Sequence, residues 1–197
     1  MILLVLGLAL FIGVHGFTMA RERRAAAIAR FGDGPYKIAY SVLSLLGLVL
    51  ISIGFGQYRQ DDFFQVWNPP VWTRHLALLL VLPAFVMFVA AYFPGRIKRT
   101  LKHPMLAGIK LWALAHLLAN GDLGSMLLFG SLLAWAVAAR ISAKRRDEVV
   151  PHGGPAAAPA GPRNDLMAIG IGGAAYLLFL FWLHPLLIGV SALPVRA

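Results

Sequence analysis

Histidine supplies most of the side chains here that could do chemistry, at positions 15, 75, 103, 116, 152 and 184, and there is no cysteine. His15, His75, His116 and His184 lie in or beside apolar runs. An imidazole among leucines loses its hydration and needs an acceptor or a metal in return, which makes such residues candidates for function. His116 is the clearest case: LWALAHLLANGD, residues 111–122, is an apolar run that stops on Asn120, Gly121 and Asp122. Steps of four follow one face of a helix. They lead back from His116 to Trp112 and Gly108, and from His15 to Phe11 and Gly7. Such a face suits a flat macrocycle, since glycine permits close approach and an aromatic packs on the ring. It suits plain helix packing equally, with glycine admitting a neighbouring helix and the imidazole bonded to a carbonyl.

The other histidines have simpler readings. His75, beside Arg74, and His184, beside Pro185, read as interfacial or hydrogen-bonded side chains. His103 precedes Pro104, a residue that fits the first turn of a helix. His152 belongs to PHGGPAAAPAGP and reads as solvated linker. Asn120-Gly121-Asp122 has the composition of a tight turn with positive φ at the glycine. The alternative is that Asp122 stays inside the protein and orients His116 or a substrate.

Several chemistries are excluded. Without cysteine there is no disulfide, no thiolate-bound iron–sulfur or zinc site and no covalent C-x-x-C-H haem, so a metal must be held by nitrogen or oxygen. Neither H-E-x-x-H nor a G-x-x-x-x-G-K-[ST] phosphate loop occurs. The only glutamates are Glu22 and Glu148, both placed in loops, which removes the di-iron carboxylate class. GIGG at 170–173 is a fragment of a dinucleotide fingerprint inside an apolar run, and close helix packing is its better reading.

The elements that must position these residues are membrane helices. The chain is 59% hydrophobic and 13% charged, with a mean hydropathy of +0.75. Its apolar blocks approach the ~20 residues that cross a ~30 Å hydrocarbon core. The expected fold is an all-α integral membrane bundle of about six spans, near 2–19, 38–57, 75–94, 105–120, 123–139 and 166–190, forming one domain over 1–197. The first run has no basic residue ahead of it and is followed by Arg21, Arg23 and Arg24, so it is expected to be a retained anchor.

The net charge of +10 follows the spans and marks no nucleic-acid surface. Segments 20–37, 95–104 and 140–165 hold fourteen of the eighteen Lys and Arg residues. By the positive-inside rule these segments are cytoplasmic and both termini are outside. Residues 58–74 concentrate Tyr58, Phe63, Phe64, Trp67 and Trp72, as an outer aromatic belt would. Residues 142–165 are expected to be a flexible cytoplasmic linker.

The sequence resembles the NnrU family. The resemblance rests on Val14-His15-Gly16, on Arg74-His75 and above all on KHPMLAGIKLWALAHLLANGD at 102–122, and it spans nearly the whole chain. The family is named for nitrite and nitric oxide reductase systems, and it is similar to plant 15-cis-ζ-carotene isomerase, a membrane protein carrying b-type haem. The resemblance implies haem iron bound by His15 and His116, with Trp112 on the second ligand's helix. It also implies a bacterial inner-membrane protein, in the lipid bilayer, serving nitrogen-oxide metabolism with reductase components as partners. Haem propionates need cationic or hydrogen-bonding anchors, for which Arg74, Arg99 and Lys102 are candidates. Two rival expectations are a haem-dependent polyene isomerase and a haem-free assembly factor. In the carotene isomerase the residue three before the second histidine is a cysteine that alternates as a ligand. Here it is Ala113, which counts against the isomerase.

Overall fold

The computed structural model describes residues 1–149 and 162–193, and their regular elements are helices apart from one isolated backbone bridge. The helices are α1 (Ile2–Phe17), α2 (Arg21–Phe31), α3 (Asp33–Asp61), α4 (Val71–Ala90), α5 (Arg96–Leu101), α6 (Pro104–Ala119), α7 (Leu123–Val149) and α8 (Pro162–Leu178). A π-helical stretch, Phe179–Leu183, then leads into α9 (His184–Ile188). The chain divides into two compact units, Met1–Trp67 with Gly121–Ser142, and Asn68–Asn120 with Ala143–Ala197.

In the first unit α1 and α3 run antiparallel at backbone contact. A Cβ on Gly7 would stand 2.6 Å from the Ile51 nitrogen, one on Gly47 would stand 2.9 Å from the Phe11 nitrogen, and one on Gly54 would overlap the backbone of Leu3 and Leu4. With no hydrophobic drive between helices in lipid, this close fit of small residues is what holds such a pair. Leu4, Leu8 and Ile51 form its buried core, with Phe55 and Leu128 packed on it.

Segment 20–37, expected as a loop, is largely α2, which turns 88° from α1. Tyr58, expected in the aromatic belt, is instead fully buried in the last turns of α3. Its hydroxyl donates to the Phe64 carbonyl and accepts from the Phe64 N–H, both at 3.2 Å. Phe63, Phe64, Trp67 and Trp72 remain exposed, as a belt requires.

The second unit packs α6 and α8 on α4. A Cβ on Gly172 would meet the Val86 Cα at 2.7 Å, so the GIGG run does serve helix packing, while Gly170 and Gly173 face open space. The Tyr176 hydroxyl donates to the Leu78 carbonyl at 3.2 Å. Asp165, on α8, accepts the backbone N–H groups of Arg96 and Ile97 at 2.9 and 3.0 Å and so closes the start of α5. Its last residue, Leu101, joins α6 through a γ-turn centred on Lys102, which has φ 60° and an N–H of His103 on the Leu101 carbonyl at 2.6 Å. His103 and Pro104 then open α6 as the sequence predicts.

Among the described residues four helices are long and apolar enough to cross a membrane, α3, α4, α7 and the run Pro162–Ile188, and the bent α1–α2 pair makes at most a fifth, against the six spans expected. α1 and α6 have 16 residues each, about 24 Å at ~1.5 Å per residue and short of a ~30 Å core. The expected linker over 142–165 is also narrower, because α7 continues to Val149 and α8 begins at Pro162. The rest of that segment, His152 included, lies outside the described residues.

Candidate functional site

His15 sits in the last turn of α1, half-buried. Its Nδ1 lies 2.7 Å from the Phe11 carbonyl. A carbonyl only accepts, so Nδ1 is the donor, and in the neutral ring the lone pair is then on Nε2. The Phe11 ring stacks on the imidazole at 4.1 Å, Tyr40 of α3 leans on it at 5.3 Å, and Trp135 of α7 meets it edge-on at 5.5 Å. The indole N–H of Trp135 is buried with no hydrogen-bond partner among the described residues. Neither Tyr40 nor Trp135 is a candidate from the histidine faces, since both come from other helices. The one signal for Trp135 is an indole N–H within an apolar run, where a buried donor normally finds a partner.

His116 repeats the arrangement in the second unit. Its Nδ1 lies 2.9 Å from the Trp112 carbonyl, and the Trp112 ring leans on it at 4.8 Å. The Asn120 side-chain amide donates to the His116 carbonyl at 2.9 Å and so ties off the end of α6. Ala113 is fully buried, which makes it a packing methyl in place of the isomerase's thiol.

The glycines of the two histidine faces do not open a slot for a macrocycle. The space beside Gly7 is filled by the backbone of Leu50 and Ile51, and the space beside Gly108 by the Phe88 ring at 2.6 Å and the Ala84 carbonyl at 3.0 Å. Both serve helix packing, so a ring plane would have to approach from another side of each imidazole.

The 120–122 stretch is a junction of a different kind from the one expected. Gly121 does not have positive φ. It is glycine because a Cβ would overlap the Trp67 carbonyl. Its own carbonyl accepts from Val66 and Trp67 N–H at 2.8 and 3.1 Å, and Leu123 N–H donates to Phe64 at 2.9 Å. Asp122 is buried and accepts the Ser125 N–H at 2.9 Å, the bond of an N-cap, so its carboxylate starts α7.

The remaining candidates described, Arg74, His75, Arg99, Lys102 and His184, belong to the second unit. Arg74 and His75 are exposed in the first turns of α4, with His75 Nδ1 3.1 Å from the Val71 carbonyl. His184 Nδ1 lies 2.8 Å from the Val190 carbonyl. Arg99 and Lys102 are exposed at the end of α5. Among the described residues no three His, Asp or Glu side chains converge. A metal held by side chains alone has no nest there, whereas iron in a macrocycle needs only axial imidazoles. The imidazoles of His15, in the first unit, and His116, in the second, each have the chemistry of such an axial donor.

The family model described as NnrU protein matches residues 3–192. The chain belongs to the NnrU family. For this NnrU chain no curated protein and no solved structure gives a match. Its histidine-bearing segments, 14–16, 74–75 and 102–122, all lie within the matched range.

Proposed function

We propose that this NnrU protein is a b-type haem protein of the bacterial inner membrane that serves nitrite and nitric oxide metabolism beside reductase components. His15 and His116 are the axial ligands in this reading. The observation that carries it is the pair of half-buried imidazoles on apolar helices, each with Nδ1 fixed on the carbonyl one turn back. Metal-bound histidines are oriented in this way, with the second nitrogen donating to a carbonyl or carboxylate. His75 makes the same bond but is exposed, so it gains nothing from replacing lost hydration. Bound haem would supply an iron centre for one-electron or Lewis-acid chemistry. The protein's part is to hold the rings, to exclude water with Phe11, Trp112 and Trp135, and to meet the propionates. Arg74 suits that last task, because a cation in the first turn of a helix is opposed by the helix dipole and gains from an anion.

A second reading, a haem-free assembly factor, is favoured by Gly7 and Gly108, whose faces are used for packing. A pyridine haemochrome assay on protein purified after expression with ample haem separates the two. Stoichiometric b-type haem with a low-spin bis-imidazole spectrum supports the first reading. Protein that folds in detergent and carries no haem supports the second.

A further inference from the structure

The crook between α1, α2 and α3 encloses an open cavity of about 640 Å³. That is within the ~300–1,000 Å³ of small-molecule sites. Its walls are apolar, among them Leu10, Val14 and Phe17 from α1, Phe31 from α2 and Tyr36 and Leu43 from α3. Two of these rings carry cations. The Arg30 guanidinium lies over Phe31 at 5.2 Å and the Arg24 guanidinium over Tyr36 at 5.8 Å. The Tyr36 hydroxyl is a buried donor with no hydrogen-bond partner among the described residues. Arg21 and Arg23 add further exposed charge on α2, and Glu22 is the helix's only acid.

We infer that this cavity is a binding site for an anionic phospholipid, with one acyl chain along its apolar walls and the phosphodiester on Arg24 and Arg30. The pairing of an apolar chamber with guanidiniums fixed at its own lining rings matches a molecule that is apolar along its length and anionic at one end. A zwitterionic lipid brings its own ammonium into the same basic surroundings and is disfavoured. A free phosphate leaves the chamber unfilled. The 88° turn from α1 into α2 lays the basic helix across the axis of α1, so a helix α1 standing in the bilayer places α2 at headgroup level. Tyr36 then gives the lipid phosphate a hydroxyl donor beside Arg24.

The test uses the full chain in vesicles of equal parts phosphatidylglycerol and phosphatidylcholine, released into mild detergent and read by native mass spectrometry. Wild type should keep phosphatidylglycerol in preference to phosphatidylcholine. Gly13 lines the cavity and a Cβ there meets nothing within 4 Å, so Gly13→Leu puts its side chain into the chamber's space and should weaken retention of the lipid. Arg24→Gln with Arg30→Gln changes two exposed residues and should abolish the preference for phosphatidylglycerol. Equal retention of the two lipids by wild type, capture of a fatty acid in their place, or unchanged retention in Gly13→Leu would overturn the assignment.

Discussion

Replacing Tyr58 by Phe leaves the Phe64 N–H without its hydroxyl acceptor, while the Phe64 carbonyl keeps the Leu123 N–H. Stability should fall by about 1–2 kcal/mol, the usual cost of stranding such a group, read as a lower midpoint of thermal unfolding in detergent. Tyr58 was hidden in the sequence because its neighbours, Phe63, Phe64 and Trp67, are belt residues and only tertiary packing turns this one ring inward. The ligand assignment is tested at the same scale. His15→Ala and His116→Ala should each lower haem content or convert the spectrum to high spin, while His152→Ala does neither. Full haem and an unchanged low-spin spectrum in both variants would refute the assignment and move the search to His75 and His184. The orienting acceptors could not be read from residue types, since a main-chain carbonyl one turn back exists for every helical histidine. Asn120, four residues on from His116, gives its side-chain amide to the end of its own helix.

Gly54→Leu should separate α1 from α3, because the added side chain must displace the main chain of Leu3 and Leu4 and not merely a side-chain tip. Overpacking of this kind costs roughly 1–3 kcal/mol, and the matching control is Gly56→Leu, whose Cβ has open space. Lys102→Gly should act in the opposite direction. Its φ of 60° is one that a side chain disfavours, and relieving that strain is worth about 1 kcal/mol, seen as a higher thermal midpoint. All six apolar runs of the sequence do become helices, since periodicity and hydropathy report burial in lipid directly. What they do not report is helix length. α3 begins at Asp33, well ahead of its apolar stretch, and α6 stops short because Asn120 and the Asp122 cap end it. The turn from α1 into α2 was equally hidden, since a run of arginines reads alike as a loop or as a helix lying at an interface.

Orientation in the membrane is a property of the entire chain, and α8 gives its sharpest test. A reporter active only outside the cytoplasm should be active when fused after residue 197 and inactive when inserted near Gly154, because the Pro162–Ile188 run between them is long enough to cross. Activity at Gly154 would reverse the topology drawn from the basic segments. The division of the chain into two units also sets an order on its synthesis. The first unit needs residues 121–142, which leave the ribosome only after 68–120 of the second have been made. Until then Phe64, Val66 and Trp67 lack their backbone partners at Leu123 and Gly121, and the core of Leu4, Leu8 and Ile51 lacks Leu128. A nascent chain halted at Asn120 is therefore an unfinished substrate for membrane quality control, however well its first helices insert, and its survival should depend on supplying residues 121–197 in trans.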